Sequence, residues 1–533
     1  MRPIFTFVTF VILFMLPAAA MAQYTNIRVS DIAYDDPEEV TIAINPTDPQ
    51  NIFAASNIDY IYRSDDGGLT WSTDRITSTV GVWGDPVVIF DAQGRLYHSH
   101  LSWPREMSGD WLDRIVIQRS DDQGVSFNDG SWIGLAPPKD QDKEWMAIDT
   151  TGSPWQDNLY IAWTEFDSYG SSVSTDSTRI LFARSTDQAT SWGASVRVSD
   201  LGGNCIDEDE TVEGAVPAVG PGGEIYMAWS GHDQIWLDRS LDGGLSFGAD
   251  QVIATQPGGW DFAVPGINRC NGMPVTLCDT TGSAMHGNLY VVWSDQREGV
   301  DDTDIWFIRS DDGGQTWTAP LNPVPESGAH HQFLPWAALD PATGYLYIVF
   351  YDRRGTAGEY TDVFVAMSAD GGDTWSDFQV SETSFLPESH VFFGDYTNIA
   401  ALDGKVYPIW MRMDQGVLSV WTALVQIPLP TAAGPAPLPG RDRVILSQNW
   451  PNPFNPSTRI DFVIPDAASV MLRVYDLAGA RVATLLDRAM QAGPYHVDWD
   501  GRDERGQRVS SGVYLYELQA GEHSVTRKMT LVK

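Results

Sequence analysis

The chain has little cysteine, few basic residues and few long apolar runs. Only 3 of its 533 residues are Cys, too few for a disulfide framework. Its 33 Lys and Arg face 71 Asp and Glu, the opposite of the balance that binds phosphate backbones. We therefore expect no nucleic-acid partner. Beyond the N-terminal segment no run approaches the roughly 18 apolar residues that span a membrane, so no transmembrane segment is expected.

What the chain does contain is typical of a folded protein. Hydrophobic residues make up 43% and include 21 Trp, which is ample material for a packed core. Cys270 and Cys278 are close enough in sequence to form one disulfide, and three free thiols fit the sequence equally well.

Composition divides the chain into four parts. Residues 1–22, with Arg2, an apolar run and a small-residue stretch, predict a signal peptide. Residues 428–440 are rich in Pro and predict an extended linker. Residues 23–439 carry 20 basic and 60 acidic residues, whereas residues 440–533 carry 12 and 11. We therefore predict one acidic domain at 23–427 and a second, nearly neutral domain at 441–533.

A short motif, Ser-x-Asp-x-Gly-x-Ser/Thr-aromatic, recurs through the acidic domain. It suits a hairpin, because the Asp can accept hydrogen bonds from turn amides and the Gly can adopt positive φ. The copy at 185–192 lacks this Gly. Six copies predict a repeat architecture, in which the aspartates are structural: Asp66, Asp122, Asp187, Asp242, Asp312 and Asp370.

Short β-type runs surround each motif and give four strands per unit, as in a propeller blade. The motif resembles the Asp-box, or bacterial neuraminidase repeat, of sialidase-like β-propellers. The unit near residues 406–426 has no motif and no fourth strand of its own. Because Asn26–Asp31 resembles the fourth-strand segment Ser195–Asp200, we predict that Ile27–Ser30 completes this unit. The all-β ring then has seven blades, whereas the sialidase resemblance alone implies six.

The C-terminal domain resembles a different family. Asn449-Trp-Pro-Asn-Pro-Phe-Asn-Pro456, Trp499-Asp-Gly501 and the ending Lys528-Met-Thr-Leu-Val-Lys533 are similar to type IX secretion (type A) sorting domains. The resemblance implies an immunoglobulin-like β-sandwich. It also implies recognition by the type IX machinery and delivery to the medium or the outer surface of a Gram-negative-type bacterium.

Candidate site residues lie where first strands begin and second strands end, because these segments converge on the face opposite the motif hairpins. Facing carboxylates there can shift one another's pKa for acid/base work, and rings can stack on sugars. The predicted catalytic residues are Asp85, Glu144, Glu213, Asp395 and Tyr396, and the predicted substrate-binding residues are Arg297, Arg353, Arg354, Arg412, Trp83, Trp145 and Trp336. No cofactor is expected, although the carboxylates leave calcium open.

The sialidase resemblance implies three Arg around a substrate carboxylate, a Tyr nucleophile activated by a Glu, and an Asp acid/base. The Arg-Ile-Pro segment of that family is absent. Two function classes follow. The first is an exported propeller acting on or binding carbohydrate, as a glycoside hydrolase of the exo-sialidase-like kind if it is an enzyme. The alternative is a non-catalytic binding or protein-interaction propeller.

Overall fold

The structure is a computed structural model. It describes residues 24–31, 37–103, 111–325, 328–429, 445–446, 449, 454–464, 468–476, 479–490, 493–521 and 523–532. The predicted signal peptide and residues 430–440 of the predicted linker lie outside this set.

All regular secondary structure in these ranges is β-strand. Among the described residues of the acidic domain, the strands form seven sheets of three to five strands, numbered here in chain order, and one two-stranded ladder. Sheet 1 comprises Thr41–Ile44, Ile52–Ser56, Tyr60–Ser64 and Ser72–Arg75, and sheet 2 comprises Gly84–Phe90, Leu96–Leu101, Ile115–Ser120 and Ser131–Ile133. Sheet 3 comprises Asp140–Ile148, Leu159–Phe166, Thr178–Ser185 and Val196–Arg197, and sheet 4 comprises Glu213–Val219, Ile225–Gly231, Gln234–Ser240 and Gln251–Thr255. Sheet 5 comprises Val275–Cys278, Leu289–Asp295 and Asp304–Ser310, and sheet 6 comprises Gln332–Leu339, Leu346–Asp352, Asp362–Ser368 and Ser376–Gln379. Sheet 7 comprises Asn398–Leu402, Lys405–Asp414, Val417–Ala423 and Asn26–Arg28. A short strand, Val425–Gln426, also pairs with Lys405–Asp414, and Asp261–Phe262 pairs with Cys270–Asn271 between sheets 4 and 5.

The first strands of these sheets line the centre of the molecule. Each contacts the first strand of the next sheet, and that of sheet 7 contacts that of sheet 1. Radial sheets joined in this way are the arrangement of a β-propeller.

The N-terminal segment supplies the outer strand of sheet 7. Ile27 pairs antiparallel with Thr422, and the Ser30 hydroxyl accepts a 3.0 Å hydrogen bond from the Val420 amide. The predicted pairing is confirmed. It covers an edge that would otherwise be exposed.

Each motif hairpin is closed by its own aspartate. In the first, Asp66 accepts hydrogen bonds from the Ser64 hydroxyl (2.8 Å), the Thr70 amide (2.9 Å) and the Thr70 hydroxyl (2.6 Å), while Ser64 accepts one from the Gly68 amide (2.8 Å). The other five hairpins repeat this pattern with donors at the same offsets. The carboxylates are therefore used by their turns.

The hairpin that lacks Gly keeps the same backbone. Gln188 and Ala189 adopt φ of 60° and 58°, where the first copy has Gly67 and Gly68 at 73° and 86°. Side chains there strain the backbone. The aspartate network thus holds the turn without the favoured residue.

The C-terminal domain is a two-sheet sandwich. One sheet has the order Ile445–Leu446, Thr458–Ile464, Gly493–Trp499, and the other Arg481–Met490, Ala468–Asp476, Gly512–Ala520, His523–Leu531. Its core includes Leu472, Trp499 and Tyr516. The predicted immunoglobulin-like sandwich has this general architecture.

The three cysteines are free. The disulfide considered for Cys270 and Cys278 is not formed, because Cys278 lies on the first strand of sheet 5 opposite Leu289 while Cys270 lies in the separate ladder opposite Phe262. In the part of the chain that the structure describes, no helix is long and apolar enough to cross a membrane.

Candidate functional site

Near the start of three first strands, a charged residue adopts the left-handed backbone conformation. Glu39, Asp85 and Lys143 have φ of 53°, 50° and 50°. In sheets 2 and 3 this position falls in a bulge, where the register shifts between Gly84 and Val87 and between Asp142 and Trp145. Bulges re-aim side chains, and non-Gly residues in this region are concentrated at functional sites. The same local feature therefore presents three charged groups at the central opening, on the side we call the open face.

These groups form one buried ionic cluster. Lys143 Nζ lies 2.6 Å from Asp395 Oδ2, 3.3 Å from Asp85 Oδ2 and 3.5 Å from Glu39 Oε1. Arg269 holds Asp395 in a bidentate pair through Nε, at 2.9 Å, and a terminal nitrogen. Both oxygens of Asp395 are thus occupied by cations. The predicted convergence of Asp85 and Asp395 is seen, with Asp395 as the anchor of the cluster.

A second partner fixes Arg269 from the other side. Its second terminal nitrogen donates to Asp207 Oδ2 at 2.7 Å, and the same oxygen accepts a 2.7 Å hydrogen bond from the Tyr169 hydroxyl. The Asn57 side-chain nitrogen Nδ2 donates a hydrogen bond to Glu39, and Asn57 Oδ1 accepts one from the Asp85 backbone amide at 2.8 Å. The charged groups are therefore held by a connected network.

The network separates the pKa values of its carboxyls. Burial raises the pKa of Glu39 well above its usual value, and nearby Asp85 adds to this. Burial disfavours ionised Asp395 too, but Arg269 and Lys143 outweigh it and lower its pKa. For Lys143, burial is outweighed by Asp395, Asp85 and Glu39, so its pKa is raised. The cluster thus lowers the pKa of Asp395 and raises that of neighbouring Glu39.

Glu144 and Glu213 are buried, and their carboxyl oxygens lack hydrogen-bond partners in the described part of the chain. Both residues are at most 1% exposed. Burial raises both pKa values well above the usual range, with further increases from Asp85 at Glu144 and from Asp207 at Glu213. Burial therefore disfavours the ionised form of both carboxyls.

Tyr396 is also enclosed. Its ring contacts Trp145 and Trp336 at centroid distances of 5.5 and 5.8 Å, and its hydroxyl has no hydrogen-bond partner in the described part of the chain. Burial raises its pKa well above the usual value. A Tyr nucleophile needs an adjacent base, and no described side chain is hydrogen-bonded to this hydroxyl.

A cavity of about 350 Å³ opens above the cluster. One part of its lining is aromatic: Trp111 makes edge contacts with Trp83 and Tyr169 at centroid distances of 5.8 and 5.7 Å. The remaining lining includes Glu38, Glu39, Asn57, Asp85, Asp142, Lys143, Arg269 and Phe392. Rings opposite a few convergent polar groups are typical of a small-ligand site.

Asp142 is the acid/base candidate in this cavity. It is 6% exposed, and Oδ1 accepts a 2.9 Å hydrogen bond from the Lys143 amide. Burial raises its pKa to about 7; Lys143 opposes this shift and Asp85 adds to it. A carboxyl that titrates near neutral pH can give or take a proton under working conditions.

The predicted arginine clamp is not assembled. Arg297 pairs with Asp295 at 2.5 Å, Arg354 with Asp352 at 2.7 Å, and Arg412 with Asp414 at 2.7 Å. Arg353 is buried, donates from Nε to the Thr361 hydroxyl at 3.1 Å and lies over the Phe333 ring. None of the four is among the described residues that line the cavity. Each Asp lies two residues from its Arg along one strand or strand end, so the two share a face and pair locally.

Two of the three predicted stacking rings are not available to a ligand. Trp145 and Trp336 are 8% and 4% exposed and pack on each other at 4.1 Å. Both line a separate cavity among the first strands, so their predicted exposure is wrong. Trp83 does line the open-face cavity.

Sequence reasoning missed several of the groups that build this site, chiefly Asp142, Arg269, Asp207, Tyr169 and Trp111. Asp142 lies two residues before the predicted Glu144 and three before Trp145, and this proximity was the available signal. Arg269 precedes the short strand Cys270–Asn271 between sheets 4 and 5, outside the repeat pattern, and nothing in its spacing marks it.

Within the described ranges, no group of three or more His, Cys, Asp or Glu side chains is arranged to hold a metal ion. Two of the carboxylates that left calcium open, Asp85 and Asp395, are instead paired with Lys143.

Two family models match parts of the chain. Residues 308–319, the fifth hairpin, match the BNR/Asp-box repeat, and residues 454–524 match the FlgD Ig-like domain. Fold and matches together define the class: an all-β protein with an Asp-box β-propeller followed by an Ig-like domain. No curated protein matches the chain.

Solved structures show similar folds at low identity. The α-L-arabinofuranosidase Arb93A of Fusarium graminearum is 12% identical over 76% of this chain and 98% of its own, with a TM-score of 0.41. A Penicillium chrysogenum α-L-arabinanase is 16% identical over 64% and 97%, at 0.39. The NanB sialidase of Streptococcus pneumoniae is 8% identical over 71% and 83%, at 0.41. The activities named are those of the similar proteins.

Proposed function

We propose that this protein is a seven-bladed propeller whose open-face cavity binds carbohydrate. One observation carries the proposal: a contiguous aromatic wall, Trp83, Trp111 and Tyr169, lines a 350 Å³ cavity that also holds Asn57, Asp85 and Asp142. Sugar rings present apolar C–H faces to aromatic rings and hydroxyls to carboxylates and amides. The cavity supplies both kinds of partner within one concave site.

The ligand we propose carries no carboxylate. A sialoside needs a cationic clamp, but Arg297, Arg354 and Arg412 are paired within their own sheets. The two cations that do line the cavity, Lys143 and Arg269, are bound to Asp395. A surrounding domain with a large acidic excess also repels anionic sugars.

Binding is tested with a glycan array on the full chain, followed by Trp111→Ala. Trp111 is 40% exposed and lines the cavity, so losing its ring removes stacking with little effect on the core. Affinity for any captured glycan should fall at least about tenfold. Trp132→Ala is the matched control, because Trp132 is 48% exposed on the outer strand of sheet 2. An array without hits, or equal losses in both variants, would contradict the proposal.

A second candidate, glycoside hydrolysis, is favoured by Asp142. Its pKa is raised to about 7 while that of nearby Asp395 is lowered, and environments that separate two carboxyls often mark acid/base assignments. If the protein cleaves a captured glycan, Asp142→Asn should lower kcat by about 10²- to 10⁴-fold and remove a pH-rate limb near 7. Asp121→Asn, at a 60% exposed hairpin residue, is the control. Unchanged kcat in the Asp142 variant would reject this assignment.

We also propose that residues 441–533 direct export through the type IX route, so that the protein reaches the medium or the outer surface. The sorting-domain sequence motifs support this. A chain truncated after residue 427 should accumulate in the periplasm, as measured by fractionation, while the full chain leaves the cell. Equal secretion of both forms would overturn this proposal and would leave the carbohydrate proposal untouched.

A further inference from the structure

We propose that the carbohydrate bound in the cavity is an amino sugar oligomer with free ammonium groups, one of which sits between Asp85, Asp142 and the aromatic wall. This inference rests on the proposed carbohydrate function and names its ligand class. It is carried by the charge of the lining and the chemistry of the rings.

The lining has an excess of acidic groups. Glu38, Glu39, Asp85 and Asp142 face the cavity together with two cations, Lys143 and Arg269. Both cations are already matched. Lys143 contacts Asp395 at 2.6 Å, Asp85 at 3.3 Å and Glu39 at 3.5 Å. Arg269 holds Asp395 and also contacts Asp207 at 2.7 Å. These two cations are therefore shared among a larger number of carboxyls, which include Asp142 and Glu38 in the lining. The remaining field at the cavity favours a positive ligand charge.

The aromatic wall favours the same charge. Trp111 meets Trp83 and Tyr169 edge to face, with interplanar angles of 87° and 79°. Rings at right angles present ring faces in more than one direction, and ring faces attract ammonium groups, most strongly in a site shielded from water. An ammonium group therefore gains from both the rings and the carboxylates, whereas a hydroxyl or acetamide gains only the ordinary contacts of a sugar.

The test compares one pair of probes on the full chain by calorimetry at pH 7: a glucosamine tetrasaccharide with free amines, and its fully N-acetylated counterpart. We expect the amine form to bind at least about tenfold more tightly, with the preference shrinking as salt rises. Asp142→Asn should remove most of that preference, and Asp121→Asn should keep it. Asp85→Asn is a second variant should Asp142→Asn fail to fold.

Binding of the amine form should also change with pH. Asp142 is faced by Lys143, Asp85, Asp207 and Arg269, and a cation placed beside it favours its ionised form. Affinity should therefore rise as pH increases through the titration of Asp142, and fall again once the ligand amines lose their protons.

Each outcome decides between the two proposals. Equal binding of both probes, or tighter binding of the N-acetylated form, overturns this inference while carbohydrate binding stands. The absence of any glycan ligand, on the array and in calorimetry, overturns both. A preference for the amine form that survives both Asp142→Asn and Asp85→Asn would also overturn the assigned position of the ammonium.

Discussion

The hairpin face and the open face use the same kind of side chain in opposite ways. Each hairpin Asp accepts hydrogen bonds from its own turn, and those from Thr70 and Ser126 lower the pKa of Asp66 and Asp122. On the open face, burial raises the pKa of Glu144 and Glu213 far above the usual value, and their oxygens lack partners among the described residues.

The difference shows which acidic residues stabilise the fold and which destabilise it. A carboxylate surrounded by amide and hydroxyl donors keeps its charge and stabilises the turn. A carboxyl buried without donors destabilises the folded state, and such groups persist where a site needs shifted pKa values. Scaffold and site can therefore be told apart by hydrogen bonding, even though both consist of acidic residues.

The largest expected effect comes from removing the cation of the open-face cluster. Lys143→Met leaves Asp395, Asp85 and Glu39 buried without their shared partner. We expect a loss of about 3–5 kcal/mol in the free energy of unfolding, because a broken buried pair strands its other members. Urea denaturation of the two proteins measures this.

Lys139→Met is the matched control four residues earlier. Lys139 is 32% exposed and pairs with Glu165 and Asp167, which Arg179 also binds. Its loss should cost no more than about 1 kcal/mol. Similar costs for the two lysines would remove the distinction between a buried cluster and a surface pair.

On the hairpin face, Asp122→Ala should cost about 1–3 kcal/mol. The substitution leaves the Ser120 hydroxyl and the Ser126 amide and hydroxyl without their acceptor. Asp121, the preceding residue, has a 60% exposed side chain and pairs with Arg119, so Asp121→Ala should change stability by less than about 0.5 kcal/mol. Equal thermal shifts for the two neighbours would contradict a scaffolding role for the motif aspartate.

The fold was largely predictable because local sequence repeats with the sheets. The N-terminal segment and the fourth-strand segment of sheet 3 each make the same internal hydrogen bond. Arg28 Nε donates to Ser30 O at 3.0 Å, and Arg197 Nε donates to Ser199 O at 2.7 Å. Similar side chains thus reported similar strand positions. The sandwich was predictable from the resemblance of the C-terminal sequence motifs to sorting domains.

The site was predictable only in part. Asp85 and Asp395 were found because they begin or precede first strands. The arginines were misassigned because charge and location were weighed without the two-residue spacing that pairs Asp295 with Arg297. Arg269 reaches the centre from the segment between sheets 4 and 5, and Asp207 from the loop before sheet 4. Contacts made by such segments depend on tertiary structure and leave no periodic signal.

The two faces should also respond to pH in opposite directions. The pKa of Glu213 is raised on folding, so its contribution to stability is greatest at low pH and is lost as pH rises from about 4.3 toward the folded value, at up to about 1.4 kcal/mol per pH unit. Glu213→Gln should remove this slope and be relatively more stable at pH 8 than at pH 5.

Asp312 gives the contrasting case. Hydrogen bonds from Thr316 lower its pKa to about 2 from 3.8, so its contribution is present above pH 3.8 and is lost as pH falls toward 2. Asp312→Asn should therefore weaken the protein at neutral pH and lose its effect in acid. Denaturation midpoints between about pH 2 and pH 8 measure both variants, and parallel pH profiles would contradict opposite roles.

The smallest expected effect concerns the hairpin that lacks glycine. Gln188 adopts a φ of 60°, and Gln188→Gly relieves that strain at the cost of a more flexible unfolded chain. We expect a net gain of about 0.5–1 kcal/mol, seen as a higher melting temperature. The reciprocal change, Gly313→Gln, places a side chain at a φ of 70° in the fifth hairpin, with its first contact, the Tyr226 hydroxyl, 3.5 Å away. Because space is available there, any loss of stability should come from backbone strain alone. This loss should equal in size the stability gained by Gln188→Gly. If Gly313→Gln is neutral, the aspartate network by itself sets the backbone at this variable motif position, and the glycine found there in several copies has no measurable stabilising effect.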